Sequence, residues 1–500
     1  MLCVVFGLKS NLLRLIISMV LYSLFIVFSL KSIVAYSYHL NTVGAIVIGG
    51  DDNDYTWDAV LLPGGGLGLG ITTQSFNSSK GYYSGSALYV KLNSQGRIES
   101  SVKINFSRPV TIYDALLVPN GKVVLVGDDT RYHNVVIVID NNTHVERAFT
   151  INVNGERINL LTGVDMTPDN SSLLFIGSSH GYRHLWVVKT DLDFNVEWSA
   201  TYYMPPVDYP IPFSLAFIND TIVAIAGYGY YSSGWIIYLN STNGLPIKAN
   251  YYSSPPIRIY HLDSYNGTIA FTGLSKINGT TVGILGLTSL NGSISWSKLI
   301  GAPGSTNNWL MTASFTPMGD IIAAGYIDKG TDNDTLILKF HGNGTLEWVK
   351  QYDIGGDEWV YTILMDEDRI YAIGGVNMGP RKTDAMIAVL NREGAAASGC
   401  FNQSSFTGTI SNITISQQPY TATQYNVTSS TILQALSYTV EHVNPAIQVI
   451  CHNTGLVGGE LIPPATEPLY STVIIKIALI TATIITSIYT ITVKKNKTTH

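Results

Sequence analysis

The residues of this chain that could do chemistry are scattered, and none of the familiar spacings is complete. Carboxylates gather at Asp51, Asp52 and Asp54, at Asp128 and Asp129, at Asp328, Asp332 and Asp334, and at Asp366, Glu367 and Asp368. Alternate carboxylates in a loop suit calcium, a hard cation that takes oxygen ligands. Asp328, Asp332 and Asp334 are the best set, because Gly330 and Asn333 would let the loop curl. No cluster has the full pattern of a calcium loop, so solvated turns remain the simpler reading, and no other cofactor is implied. Gly177-Ser178-Ser179-His180-Gly181 has the Gly-X-Ser-X-Gly form of a nucleophile elbow, which needs a strand, a sharp turn and a helix. Here another strand, 185–190, follows instead, so the segment reads as a loop. The histidines, His133, His144, His180, His184, His261 and His341, make no pair at helical spacing and no zinc motif. Flat aromatic side chains with polar tips are the more promising feature. Tyr228, Tyr230, Tyr231 and Trp235 crowd one loop, and Tyr82 and Tyr83 another, which suits recognition of a glycan or a protein. Tyrosine is abundant throughout, with 30 in the chain, so this composition alone does not make a site.

The elements that would carry these residues repeat. Ser86–Asn93 is an alternating apolar strand ending in a turn, and it returns at 135–140, 184–191, 234–240, 282–288, 335–340 and 385–391. Each copy follows an apolar strand that stops at a glycine: Gly70, Gly127, Gly177, Gly227, Gly273, Gly325 and Gly374. A period of about 50 residues, repeated about seven times, marks a propeller array. Each repeat reads as four strands. The inner one often opens on an aromatic (Trp57, Tyr113, Tyr260, Trp309, Trp359), and the fourth often carries Trp198, Trp296 or Trp348. Turns such as Pro63-Gly64-Gly65 and Pro317-Met318-Gly319 join the first two. The fold class is therefore all-β, a seven-bladed β-propeller over residues 37–400. The Ala45–Ile48 strand is expected to close the ring as the outer strand of the blade that holds 385–391, leaving no open edge at the closure.

The two ends have other roles. Residues 1–36 read as a signal peptide, with Lys9 and Arg14 before the apolar run 15–30; an uncleaved anchor is the alternative. Residues 401–452 form a small β-rich extension bracketed by Cys400 and Cys451, which would make one disulfide or remain two free thiols. A proline-bearing linker, 453–471, leads to an apolar run at 472–493, long enough to cross a bilayer as a helix. Lys494, Lys495 and Lys497 in the 494–500 tail favour a cytoplasmic C-terminus, placing the bulk of the chain outside a single-pass membrane anchor. Sequons at Asn77, Asn105, Asn141, Asn170, Asn219, Asn240, Asn266, Asn278, Asn291, Asn333, Asn343, Asn402, Asn412 and Asn426 favour export, although Asn-Gly pairs also make good hairpin turns. Charged residues are only 13% of the chain and the net charge of -6 is spread evenly, which excludes a nucleic-acid surface and suits an extracellular, even acidic, medium.

The repeat resembles those of secreted bacterial and archaeal cell-surface β-propellers, in which a strand ending in glycine, an apolar-Lys-Leu-Asn strand and a Trp-Lys strand recur; residues 324–356 and 70–104 match best. A narrower resemblance is to quinone-dehydrogenase propellers, through Gly292…Trp296 and Gly344…Trp348, without the vicinal cysteine pair of those enzymes. The first resemblance implies a fold rather than an activity. The reading that follows is a membrane-anchored, non-catalytic binding or scaffold module whose partners are surface proteins or glycans. The alternative is an extracellular hydrolase or quinone-type oxidoreductase with its site at the propeller channel.

Overall fold

The computed structural model describes residues 44–75, 85–129, 133–153, 156–179, 183–205, 207–229, 233–302, 305–379, 382–396, most of 402–449, and 460–461. The signal peptide, the 472–493 run, Cys400 and Cys451 lie outside these residues. Among the described residues no helix is long and apolar enough to cross a membrane.

Among the described residues every regular element is a strand, and the strands form seven antiparallel blades. Blade 1 consists of Asp54–Leu62, Gly66–Thr73, Ser86–Leu92 and Ile98–Phe106, from the axis outward. Blades 2 to 6 occupy residues 110–153, 156–203, 211–254, 257–301 and 308–353. Blade 7 takes three strands from Asp357–Met365, Arg369–Gly379 and Lys382–Asn391, and its fourth from the N-terminus. There Ala45 to Ile48 pair antiparallel with Ala388 to Ala385, as expected for ring closure. Strand alternation sends each blade's apolar side chains to both faces, so the core lies between blades. Each of seven apolar clusters joins two neighbours; Leu69, Ile71, Leu88 and Val90 of blade 1, for example, meet Ile373, Ile387 and Val389 of blade 7. The tryptophans of the fourth strands lock these seams. Trp296 packs on Gly344 of the next blade and donates Nε1–H to the Gly342 carbonyl at 3.0 Å.

The segment after blade 7 is rich in strands, as its sequence indicates. Glu460–Leu461 at its end pairs with Ala446–Val449, but the strands from Asn402 to Val449 do not pair with one another. They add one to a blade around the outside of the ring. Asn402–Ser404 pairs with blade 6, Thr409–Asn412 with blade 5, Ser416–Tyr420 with blade 4, and Thr423–Asn426 with blade 3. Thr431–Ala435 and Tyr438–His442 continue on blades 2 and 1, and Ala446–Val449 ends the circuit on blade 7. The chain thus retraces the ring as a strap. The closing strand is therefore fourth in its sheet and not the edge, because Ala446–Val449 hydrogen-bonds its other side. Residues 44–461 belong to one compact unit, strap included.

Candidate functional site

The recurring glycine does not end the second strand, as the sequence suggests, but lies inside it, one to five residues before its last residue; in most blades it has a local cause that leads to the site. Each inner strand carries a β-bulge, seen as register breaks at Thr56/Asp58, Ile112/Asp114, Leu161/Gly163, Pro212/Ser214, Ile259/His261, Leu310/Thr312 and Val360/Thr362. Just before the bulge the inner-strand carbonyl presses on the neighbouring strand. A Cβ on Gly374 would lie 1.7 Å from the Trp359 carbonyl oxygen, and one on Gly127 would lie 1.9 Å from that of Thr111. Only glycine fits there. The bulge in turn re-aims the side chains around it. All seven bulged residues, Trp57, Tyr113, Thr162, Phe213, Tyr260, Met311 and Tyr361, turn into the central channel and line a cavity of about 560 Å³.

Five of the seven are aromatic and form a collar. Trp57 stacks on Tyr361 with centroids 4.3 Å apart and meets Tyr113 edge-on at 6.0 Å. Phe213 stacks on Tyr228 and stands edge-on to Tyr260, both at 5.2 Å. Tyr260 stacks on Trp309 at 5.4 Å. The Arg258 guanidinium lies 4.7 Å from the Tyr228 ring centroid. Thr162 and Met311 leave gaps in the collar at blades 3 and 6.

The residue after five of the seven bulges forms the floor: Asp58, Asp114, Ser214, His261 and Thr362, with Asp165 beyond them. Several of these side chains accept a hydrogen bond from the inner strand of the next blade. Asp58 Oδ2 accepts the Ala115 N–H (3.2 Å), Asp114 Oδ2 the Val164 N–H (2.8 Å), and Ser214 Oγ the Leu262 N–H (3.0 Å). The floor thus staples neighbouring blades together. Burial raises the pKa of both Asp58 and Asp114, the charge of Asp58 raises Asp114 further, and the hydrogen bond between them favours ionised Asp58. Asp114 is therefore the weaker acid of the two. Asp165 is pushed up to about 7 by burial and by the charge of Asp263. His261 is held down to about 4 by burial and stays neutral. The floor is a mixed set of hydrogen-bond donors and acceptors, in which burial holds carboxyl protons to higher pH than in water.

Of the sequence-derived candidates, Tyr228 lies in this collar. Tyr230, Tyr231, Tyr82 and Tyr83 lie outside the described residues. Trp235 is not a loop-tip residue: it is fully buried between blades 3 and 4, against Gly227, Leu185 and Val187. Its position one residue into a central strand, facing the seam, forces this. His184 and His133 sit at blade edges, with His133 hydrogen-bonded to Asp129 at 2.7 Å. The Asp328, Asp332 and Asp334 set is only partly gathered. Asp332 and Asp334 approach Asp353, whereas Asp328 accepts from the Gly330 N–H at 2.6 Å and from Thr306 at 3.3 Å. The floor residues were not singled out by motif. Their signal is an aromatic–polar dipeptide in five of the seven inner strands (Trp57-Asp58, Tyr113-Asp114, Phe213-Ser214, Tyr260-His261, Tyr361-Thr362), visible once the repeats are aligned on their glycines.

No protein-family model matches the chain, and no curated protein does. Among solved structures, the chain is similar to Kuenenia stuttgartiensis hydrazine synthase (13% identity, 54% of this chain and 77% of that one, TM-score 0.41). It is also similar to Sqt1 from Chaetomium thermophilum (11%, 70% and 99%, TM-score 0.42). A third is the β-propeller domain of the Trilobed protease from Pyrococcus furiosus (11%, 67% and 93%, TM-score 0.42). The seven-bladed architecture rests on the strand pairing itself.

Proposed function

We propose that this chain is a binding module that takes a neutral, polyhydroxylated ligand, a terminal sugar of a surface glycan, into the mouth of its channel. The observation that carries the reading is the aromatic collar above a floor of buried polar groups. Sugar rings present C–H faces that stack on Trp and Tyr, and hydroxyls that both donate to and accept from carboxyl groups. The cavity has the size of one or two sugar rings, within the range of small-molecule sites. Surface export and membrane anchoring are part of the proposal, supported by the signal-like and apolar end segments. Strands alternate in direction, so the collar opens on the face of the second-to-third-strand loops. The sequons are found on both faces: Asn141, Asn170, Asn219, Asn266, Asn291 and Asn343 lie at turns on the face opposite the mouth, whereas Asn278 and Asn333 lie at second-to-third-strand loops on the mouth face.

The test is a glycan array with the full chain, followed by titration of the best ligand. Trp57→Ala with Phe213→Ala, both half-buried and facing the lumen, should weaken binding by about ten- to a hundredfold, from one or two lost stacking contacts. Undiminished affinity would remove the channel as the site. A second reading, a glycan hydrolase, is favoured by one observation: two neighbouring carboxyl groups, Asp58 and Asp114, line the channel, with Asp114 the weaker acid. Release of free sugar by the wild type, lost in Asp114→Asn while binding persists, would decide for it.

A further inference from the structure

Among the described residues, buried carboxylate oxygens without a hydrogen-bond partner lie at two seams, between blades 6 and 7 and between blades 7 and 1, and the first gathers the more carboxylates. Asp334 is fully buried at the start of a third strand. Its Oδ2 accepts from Lys329 Nζ at 2.5 Å and from Gln351 Nε2 at 2.8 Å, while its Oδ1 has no hydrogen-bond partner. Asp332 from the preceding loop and Asp353 from the end of the fourth strand each bring a carboxylate oxygen within 4.8 Å of that of Asp334 and of one another. Across the seam Glu358 is fully buried. Its Oε1 accepts the Ile354 and Gly356 N–H groups, at 3.2 and 3.0 Å, and its Oε2 is unpartnered.

Three carboxylates, one fully buried and two half-buried, against one ammonium leave an excess of negative charge, an arrangement that is costly at the buried Asp334 unless a cation joins it. Oxygens up to about 4.8 Å apart can share one ion bound at roughly 2.4 Å. We infer that Asp332, Asp334 and Asp353 form a site for a hard divalent cation of the calcium class, with Lys329 as the internal cation that competes for it. Two other places in the chain lack the full pattern. Asp320, His341 and Glu347 are also close, but Lys339 bridges Asp320 and Glu347 at 3.5 and 2.9 Å, and none of the three has an orphaned buried oxygen. Asp384 and Asp54 repeat the seam arrangement between blades 7 and 1 with Lys382 at 3.1 Å, but no third carboxylate completes a cluster there.

The test is titration of the chelator-stripped full chain with calcium chloride at neutral pH, read by calorimetry and by thermal melting. One saturable site with a dissociation constant of about 1 mM or tighter, and a melting point that rises with calcium and falls again with chelator, is expected. Asp353→Asn should weaken binding at least about tenfold, Lys329→Met should tighten it by a similar factor, and Asp384→Asn should leave it unchanged. No saturable binding by the wild type up to about 10 mM overturns the proposal, as does binding that survives Asp332→Asn with Asp353→Asn. The wild-type titration stands whether or not a variant folds.

Discussion

Asp165 should make this protein most stable in mild acid. Its carboxyl lines the channel, accepts the Met166 N–H at 2.7 Å and lies close enough to Asp263 to be repelled by it. Burial first, and that repulsion second, lift it from 3.8 to about 7. A carboxyl whose folded value is raised binds its proton more tightly in the native state. Its contribution is fully present below the unfolded value near 4 and is lost as pH rises through 7. At about 1.4 kcal/mol for each tenfold change in proton affinity, the loss from Asp165 between pH 5 and pH 8 is roughly 3 kcal/mol. Asp54, raised to about 6, and Asp128, raised to about 7, act in the same direction. His261 acts oppositely at the acid end. Its folded value near 4 lies below the unfolded 6.5, so stability falls as pH drops below about 6 toward 4. Between pH 4 and pH 6 the three raised carboxyls outweigh the one lowered imidazole, so these groups together make stability decline from about pH 4 upward. The assay is urea unfolding at pH 4, 5, 6.5 and 8 for the wild type and for Asp165→Asn, which keeps the acceptor for Met166 and cannot ionise. The variant should come close to the wild type at pH 4 and exceed it by roughly 4 kcal/mol at pH 8. Wild-type stability that is flat or rising from pH 5 to pH 8, or a variant with no advantage at pH 8, would refute the reasoning.

Three further outcomes follow from the packing. Trp235→Ala should destabilise the fold by about 3–5 kcal/mol, read in the same urea assay, and leave ligand affinity unchanged, since its ring lies in a seam far from solvent. Ending the chain at residue 400 removes the strap and bares the fourth strand of every blade. Light scattering should then report aggregation, and a monodisperse product with an unchanged melting point would mean the strap does not protect these edges. Gly374→Ala would press a methyl group onto the Trp359 carbonyl, so it should unfold at markedly lower urea than Gly379→Ala, where nothing lies within 4 Å.

What the sequence determined alone was the repeat. Alternation with a period of two, turns at Pro-Gly and Asn-Gly, and a glycine recurring every 50 residues or so are local signals, and each strand carries its own. The ring closure by Ala45–Ile48 was legible for the same reason: its strand matches the end of a repeat and blade 7 lacks one. Three things were decided only in three dimensions. The channel site joins residues more than 300 positions apart, such as Trp57 and Tyr361, and it depends on a bulge that shifts the facing of one side chain in each inner strand. Alternation alone would send those residues to the wrong side. Trp235 looked like part of an aromatic loop because Tyr228, Tyr230 and Tyr231 precede it in sequence; strand register, not proximity in sequence, turned it into the seam. The strap looked like a small separate extension because its strands join the blades through backbone hydrogen bonds, which every residue but proline can make. Such pairing leaves little mark in the side chains, so only the assembled ring, with its seven outer edges, could show where those strands go.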